Sequence, residues 1–412
     1  FLGDLVVDNN TSVVNPSSIA NILTLRYDPN IETNLPIKTS NDFESNIETV
    51  DIESIENSIS NYMKEKLKDL AERKICIALS GGVDSTLTLS LLRKIEPDIN
   101  IQAVSVKFAD SVDETTDAIK IAETFGAEHH IIELDNYLSE LPKAISIIKM
   151  PFWDIHWYYV VKKSHSLSKI LISGDGGDEL FGGYTFRYQK FLSLTTETSS
   201  PLEKIIAYLE CHERDRVPDQ EKLFGKKSKF AWEAIYETLR PYFENKLSRL
   251  EQVFLADYNG KLLYNFNPIN NSIINNFDMQ LLTPILNSHL LSSAPHIKKS
   301  EKYDESKNIG KLPLRQILKQ NGHDNLVGRK KLGFNVNTIN LWKSRGQSIC
   351  KDFLLDAKIV KDGWINQDWI LKYIDNSELD VKYINKFLGI LAFEIWYRLF
   401  ITKEIKNNTL LE

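Results

Sequence analysis

The sequence predicts an α/β protein, with a doubly wound parallel sheet followed by a mainly helical second half. Two observations predict the sheet: short apolar stretches alternate with segments of helical spacing, and a glycine-rich loop follows two of those stretches. A third observation, the loss of strand-like stretches after about residue 190, predicts the helical half. The expected strands are 74–79, 101–107, 129–134 and 169–172, and the expected helices are 85–94, 113–125, 136–148 and 154–168.

Residue spacing justifies the first elements. Residues 51–72 carry apolar side chains one helical turn apart, at Ile52, Ile55, Ile59 and Met63. The stretch 75–79 is wholly apolar, as expected of a strand buried on both faces. Gly126 follows the helix predicted over 113–125, where a C-cap glycine is expected.

The remaining segments complete the predicted organisation. Residues 201–256, 310–322 and 366–405 are predicted to be mainly helical, and the charged run Lys298–Lys307 predicts an exposed loop. The Asn/Ser/Thr-rich N-terminus has short β-like stretches at Leu5–Val7 and Ile22–Tyr27. We therefore expect three regions: 1–50, the remnant of an upstream domain plus a linker; 51–190, an α/β core; and 191–412, a helical subdomain that completes the site.

Composition excludes several classes of protein. The 412 residues are 42% hydrophobic and 26% charged, which is typical of a globular protein. A net charge of −6 argues against nucleic-acid binding as the main function. Three widely spaced cysteines predict neither a disulfide framework nor a zinc site, and fit a reducing cytoplasm. No apolar run reaches the about 18 residues of a membrane helix.

The first glycine-rich loop is Ser80-Gly81-Gly82-Val83-Asp84-Ser85, directly after the first strand. Paired glycines allow successive N–H groups to converge on an anion, and the following helix points its positive end at the same place. A tight structural turn is the alternative, but the acidic and hydroxyl side chains at the helix start favour phosphate binding. No GxxxxGK[ST] sequence is present, so the loop is not of the Walker type.

The second glycine-rich loop is Ser173–Tyr184, which holds five glycines and three acids after the predicted strand 169–172. A flexible acidic loop or a calcium loop is the alternative, but the spacing of calcium-binding acids is absent. Asp84 and Asp178 at neighbouring strand ends predict a two-sided clamp for a magnesium–pyrophosphate group.

The third motif is the basic segment Arg329-Lys330-Lys331-Leu332-Gly333-Phe334. Charged runs are usually solvated surfaces, so alone this segment would carry no function. A lysine held over the α-phosphate of a nucleotide, however, would stabilise the charge that develops in a transition state.

Together, these three motifs resemble the synthetase domain of the asparagine synthetase family, within the PP-loop ATP pyrophosphatases of the HUP type. The resemblance covers roughly residues 50–405. The family's SGGxDS and SGxGxDExFGGY patterns match the two loops, and its RxKxGF pattern matches Arg329, Lys331, Gly333 and Phe334. The stretch Val104–Phe108 resembles the strand that lines the family's adenine pocket.

This resemblance implies an AMP-forming amide synthetase. A carboxylate, by default aspartate, would attack the α-phosphorus of ATP, and ammonia or glutamine-derived nitrogen would then displace AMP. Lys331 would steady the transition state, and Mg²⁺ would lie between Asp84 and Asp178. The implied nucleotide-binding residues are Leu79, Ser80, Gly81, Gly82, Asp84, Ser85, Val106, Ser173, Gly174, Asp178 and Glu179.

Two departures from the family leave the substrate open. Met150-Pro151 stands where the family places a Glu-Pro whose glutamate serves as base, and a thioether accepts no proton. Asp154 is the candidate catalytic replacement. The family's substrate-side segment corresponds to about Asn271–Asn287, where its arginine is lost.

The resemblance also implies an upstream glutaminase domain, which supplies ammonia in full-length members. This chain starts with Phe1, so we expect it to be a piece of a longer enzyme, with a stand-alone ammonia-using synthetase as the alternative. We expect a cytoplasmic protein with no nucleic-acid partner and no membrane, and leave a homodimer open. Two further alternatives are a lactam- or macrolactam-forming relative and a nucleotide-binding protein without turnover.

Overall fold

A computed structural model describes residues 14–44, 49–68, 73–108, 115–212, 216–327 and 337–412. In these ranges a five-stranded parallel sheet forms the centre, with strand order β3-β2-β1-β4-β5. Its strands are β1 Lys74–Ala78, β2 Asn100–Phe108, β3 Glu128–Leu134, β4 Ile170–Ile172 and β5 Gln280–Leu282. A separate antiparallel pair joins β6 Tyr303–Asp304 to β7 Ile309–Gly310.

Helices connect and flank these strands. The first half contains α1 Pro16–Leu25, α2 Ile52–Leu67, α3 Val83–Ile95, α4 Thr115–Thr124, α5 Leu141–Ile148, α6 His156–His165, α7 Gly177–Phe181 and α8 Thr185–Leu194. The middle contains α9 Pro201–Glu210, α10 Gln220–Leu223, α11 Trp232–Phe243, α12 Arg249–Asp257, α13 Asn267–Asn276, α14 Ser288–Ser293, α15 Lys299–Lys302 and α16 Leu312–Gln320. The last part contains α17 Asp324–Val327, α18 Thr338–Leu341, α19 Gln347–Leu354, α20 Lys358–Lys361, α21 Gln367–Tyr373 and α22 Val381–Phe400.

The two faces of the sheet lie in two separate hydrophobic cores. Because successive side chains of a strand point to opposite faces, Cys76 and Ala78 contribute to one core, and Ile75 and Ile77 to the other. Helix α22 packs in the first core, whereas α2, α3 and α16 pack in the second. Helices therefore cover both faces, and the predicted doubly wound parallel sheet with a helical second half is confirmed.

Two sequence-based expectations differ from the structure. Ile22–Tyr27 is not β-like: most of it belongs to α1, which Asn15 caps by accepting a hydrogen bond from the Ser17 N–H at 3.0 Å, with Pro16 at the first helical position. Lys298–Lys307 is an exposed loop only in part: Lys299–Asp304 form α15 and β6 with Lys302 and Tyr303 buried, and 305–307 are exposed. In addition, strand β5 lies in the second half of the chain, where no strand was expected.

The predicted strands and helices of the first half agree with the structure to within a few residues. The predicted helix over 154–168 begins later, at His156, so Asp154 lies in the loop before it. All three cysteines are buried and free. In the described part of the chain, no helix combines the length and apolar character that crossing a membrane requires.

Candidate active site

The first glycine-rich loop leaves the carboxyl end of β1 and enters α3. The Leu79 N–H still bonds to the Val104 carbonyl at 2.9 Å, so the chain leaves the sheet only after Leu79. Gly81 then adopts a left-handed φ of 70°, a conformation that favours glycine. The Ser85 hydroxyl closes the loop, since it accepts from the Ser80 N–H at 3.2 Å.

Helix α3 begins with its N-terminus open toward this loop. Its N-cap, Gly82, has no side chain to accept from the N–H groups of the first turn. A helix N-terminus left in this state, beside a loop with a left-handed glycine, binds anions through its N–H groups and its positive dipole end. The geometry therefore supports the predicted phosphate-binding role of Ser80–Ser85.

The second glycine-rich loop follows β4, beside the first. The Ser173 N–H extends the pairing of β4 with β5 by donating to the Leu282 carbonyl at 2.9 Å. The Ser173 hydroxyl then donates to Oδ2 of Asp175 at 2.8 Å. Because β1 and β4 are neighbours in a parallel sheet, their carboxyl ends bring the two loops together.

Direct packing locks the two loops to each other. A Cβ atom placed on Gly174 would lie 2.7 Å from the carbonyl carbon of Asp84 and 2.8 Å from the Ser85 nitrogen. A Cβ atom placed on Gly177 would lie 2.2 Å from Oδ1 of Asp84. Only glycine leaves room for the first loop at these two positions.

Asp84 and Asp178 converge on one buried lysine, Lys311. The Lys311 ammonium bonds to Oδ2 of Asp84 and lies 2.7 Å from Oδ1 of Asp178. Burial alone would lower the pKa of Lys311, but the charges and hydrogen bonds of the two carboxylates outweigh it and raise the pKa above its usual range. The predicted clamp residues are therefore brought together, around a cation that the chain itself supplies.

The backbone of Lys311 is fixed between β7 and α16. Its N–H donates to the Phe181 carbonyl at 2.9 Å, and its φ of 59° is left-handed. Its side chain passes so close to Gly183 that a Cβ atom there would lie 2.2 Å from Cε of Lys311. Gly183 thus makes space for the lysine beside the second loop.

Asp175 is the third carboxylate at this edge of the sheet. Besides Ser173, the side-chain amide of Asn270 donates to its Oδ2 at 3.0 Å. Burial is the main cause that raises the pKa of Asp175, and the charge of Asp84 raises it further. The hydrogen bonds from Ser173 and Asn270 and the charge of His156 lower it, but by less. Asp175 is thus a carboxylate held in place with increased proton affinity.

The pKa of Asp154 is shifted in the opposite direction from that of Asp175. Burial would raise its pKa, but His156, the Arg26 guanidinium and the Tyr137 hydroxyl together hold that pKa well below its usual range. The contacts are 3.2 Å from His156 Nδ1, 3.0 Å from Arg26 Nη2 and 2.7 Å from the Tyr137 hydroxyl. A carboxylate stabilised in this way is a weak proton acceptor, which argues against Asp154 as a base.

Glu179 lies in a buried polar network on the inner side of the second loop. Its carboxylate accepts from the Tyr184 hydroxyl at 2.5 Å, and burial and the Asp178 charge raise the pKa of Glu179 to about 7. The Arg187 guanidinium stacks 3.7 Å from the centre of the Tyr184 ring and pairs with buried Asp257 at 2.6 Å. This network anchors α7 to α12.

Val106 and Lys331 are the remaining predicted residues. Val106 is buried in β2, in the same core as Ala78, which is compatible with a place behind an adenine ring. Lys331, with the rest of the basic motif, lies outside the described residues, so its role stays a prediction.

Sequence reasoning missed two residues of the site, Lys311 and Asp175. Asp175 was visible inside the second glycine-rich loop, where its position between two glycines was the only signal. Lys311 gave no signal, because it lies far along the chain in a segment without a recognised pattern.

A parallel α/β sheet whose carboxyl edge carries a glycine-rich loop and a helix N-terminus has the arrangement at which many α/β proteins bind phosphate groups. The chain belongs to the asparagine synthase family, whose family model matches residues 59–398. The predicted resemblance is therefore confirmed.

Individual relatives agree with this assignment. Over 360 residues the chain is 25% identical to asparagine synthetase [glutamine-hydrolyzing] 1 of Bacillus subtilis. This match covers 79% of this chain and 56% of that protein. It is 23% identical over 371 residues to a putative asparagine synthetase of Mycobacterium tuberculosis, covering 81% of this chain and 54% of that protein. The human asparagine synthetase is 26% identical over 152 residues, which are 33% of this chain and 27% of the human protein. The chain spans about half the length of the first two relatives.

Proposed function

We propose that this chain is an ATP-dependent ligase that forms an amide through an acyl-adenylate, with aspartate as the first substrate to test. The observation that carries the proposal is the meeting of Asp84 and Asp178 beside the open N-terminus of α3. A phosphate bound at that N-terminus would lie next to two acidic side chains, which suits a group that arrives with a divalent cation.

In this proposal ATP binds with its pyrophosphate part at Ser80–Ser85. The N–H groups of the α3 N-terminus and the Ser80 and Ser85 hydroxyls would donate to phosphate oxygens. The adenine would lie against β2 near Val106 and Leu79, at the carboxyl edge where ligands of parallel sheets bind.

The two aspartates fit a Mg²⁺ ion. Mg²⁺ is commonly held by one or two carboxylates together with substrate phosphates and water, and Asp84 and Asp178 already point their oxygens at one place. Over the described ranges, no three His, Cys, Asp or Glu side chains form a metal cluster, so phosphates and water would supply the remaining ligands. The ion would neutralise negative charge on the pyrophosphate.

The proposed reaction has two steps. A carboxylate oxygen of the acid bonds to the α-phosphorus of ATP, and the bond from that phosphorus to the pyrophosphate oxygen breaks. The amine nitrogen then bonds to the acyl carbon, and the bond from that carbon to AMP breaks. Lys331 would stabilise the charge of the first step.

Asp175 is proposed as the acceptor of the proton that the amine loses. Its raised pKa and its place in the second loop, near Asp84 of the first, suit this role, whereas the lowered pKa of Asp154 does not. In this proposal Asp154 orients Arg26 and His156 at the side of the site.

A pyrophosphate-release assay tests the proposal. The purified chain is given Mg-ATP, ammonia or glutamine, and a panel of carboxylic acids headed by aspartate. We expect release that depends on one acid and stops in Asp178→Asn and in Lys331→Ala, the latter with ATP binding retained. Asp98→Asn, on an exposed loop at the opposite edge of the sheet, is the matched control. Absence of release with every acid would refute the proposal.

One observation favours an acid other than aspartate, including one whose own amine closes a lactam. The segment 270–287 adjoins the second loop through Asn270 and Leu286. It contains no Lys, Arg or His to bind a second carboxylate, and carries the acidic Asp278. If aspartate gives no pyrophosphate and a monocarboxylic amino acid does, this second candidate replaces the first.

A further inference from the structure

We propose that Lys311 is an internal stand-in for the metal ion: without nucleotide, its ammonium occupies the place between Asp84 and Asp178 and excludes free divalent cations. This inference rests on the proposed assignment of those two carboxylates as metal ligands. Metal would then enter only together with the phosphates of a nucleotide.

Geometry provides the first argument. The same ammonium contacts both carboxylates, at 2.7 Å from Oδ1 of Asp178 and in direct contact with Oδ2 of Asp84. The side chain of Lys311 is 4% exposed, and each aspartate side chain is 15% exposed. The oxygens that a metal would use are thus already turned toward one enclosed cation.

Charge provides the second argument. A divalent cation and an ammonium at the same pair of carboxylates would repel each other strongly in a site this buried. Among the described residues, Asp175 and Arg315 also act on Asp84 with opposite charges, and Glu179 and Asp257 lie close enough to Asp178 to feel its charge. The Lys311 ammonium cancels one of the two carboxylate charges that a divalent ion would otherwise meet, and such an ion must also lose its water to enter.

The fixed backbone of Lys311 provides the third argument. With its N–H bonded to the Phe181 carbonyl and its side chain beside Gly183, the lysine reaches the site along one path. Its ammonium can leave the carboxylates only for another anion within reach. Phosphate oxygens bound at Ser80–Ser85 would be such an anion. The Lys311 ammonium would then bind the phosphate oxygens, and the metal would bind the two carboxylates in its place.

Binding of Mn²⁺, followed by electron paramagnetic resonance of the free ion, tests this inference without turnover. For the unmodified chain, we expect a non-hydrolysable ATP analogue to tighten Mn²⁺ binding by about tenfold or more. In Lys311→Gln, Mn²⁺ alone should bind about tenfold or more tighter than to the unmodified chain, because the competing charge is gone. The gain should vanish in the double variant Lys311→Gln/Asp84→Asn.

Lys307→Gln is the matched control, because Lys307 lies on the same hairpin with its side chain 72% exposed, and it should leave Mn²⁺ binding unchanged. Equal Mn²⁺ affinity of the unmodified chain with and without the analogue would overturn the inference, even if Lys311→Gln failed to fold. Pyrophosphate release together with that result would leave the proposed function intact. If no acid gave pyrophosphate release, the proposed function would be refuted, and the Mn²⁺ measurement would still test the role of Lys311.

Discussion

Replacing the buried Lys302 by methionine should stabilise the protein at neutral pH, and progressively less as the pH rises. Lys302 is 1% exposed, and its ammonium makes a 3.2 Å hydrogen bond to the Pro295 carbonyl. The rings of Phe43 and Phe254 flank it at 5.7 and 5.5 Å. Burial lowers its pKa from 10.5 to about 7, although the charge of Glu251 acts in the opposite direction.

The magnitude follows from that pKa. At about 1.4 kcal/mol per pKa unit, the difference between 10.5 and about 7 corresponds to roughly 5 kcal/mol. Between these two values the unfolded chain binds more protons at Lys302 than the folded chain does. The free energy of unfolding should therefore rise with pH in this window, by about 2 kcal/mol from pH 7 to pH 9. Below pH 7 both states are protonated, so the destabilisation by this residue levels off.

Urea denaturation at pH 7, 8 and 9 measures the effect. We take the difference in the free energy of unfolding between Lys302→Met and the unmodified chain, because the contributions of all other titrating groups are the same in both and drop out. We expect the advantage of methionine to be largest at pH 7 and to shrink by about 2 kcal/mol at pH 9. Lys307→Met, an exposed change on the neighbouring turn, should show no such trend. A difference that stays constant with pH would refute the lowered pKa of Lys302.

Three further changes test other parts of the structure. Gly177→Ala should weaken ATP binding about tenfold or more in calorimetry, because its Cβ would lie 2.2 Å from an oxygen of Asp84 and push that carboxylate away. Arg187→Met should cost about 3–5 kcal/mol of stability and lower the melting temperature, because it leaves Asp257 buried without its partner charge. Asn15→Ala should cost about 1 kcal/mol and speed hydrogen exchange in α1, because it removes the N-cap.

Two of these changes have a control within the chain. Gly389→Ala in α22 places its Cβ at an ordinary 3.5 Å from Leu23 and should leave ATP binding unchanged. Adding Asp257→Leu to Arg187→Met should restore part of the lost stability, since the buried carboxylate that lost its partner is then removed as well. Full stability of the Arg187→Met single variant would contradict the ion-pair assignment.

The sheet could be predicted from sequence because its strands are buried on both faces and its connections are helices. Strands such as 75–79 are then continuous apolar runs, and each is followed by a turn and a helical pattern. Strand β5 escaped prediction because its three residues draw their stability from pairing with β4, which no local pattern records. Lys302 escaped for a related reason, since a charged run is normally exposed and only tertiary packing buries it.

The candidate site likewise contains some residues that the sequence reveals and others that only the folded structure reveals. The two glycine-rich loops could be recognised because phosphate binding and close backbone approach need glycine at particular positions, as at Gly174 and Gly177. Lys311 could not, because its function depends on a contact across 227 residues that one lysine among many does not signal. Asp175 stood within the recognised motif, yet its raised pKa comes from burial and from Asp84, which only the folded structure reveals.

The segment ahead of the sheet also forms part of the site. Helix α1 contributes Ile19, Ile22 and Leu23 to the core that holds α22, and Leu25 to the core on the other face. Directly after it, Arg26 adopts a left-handed φ of 67° and pairs with Asp154 in the loop before α6. Since the depressed pKa of Asp154 depends partly on Arg26, the polar side wall of the site is assembled from residues that precede the sheet by about fifty positions. Residues 14–31 therefore pack into the same two hydrophobic cores as the sheet.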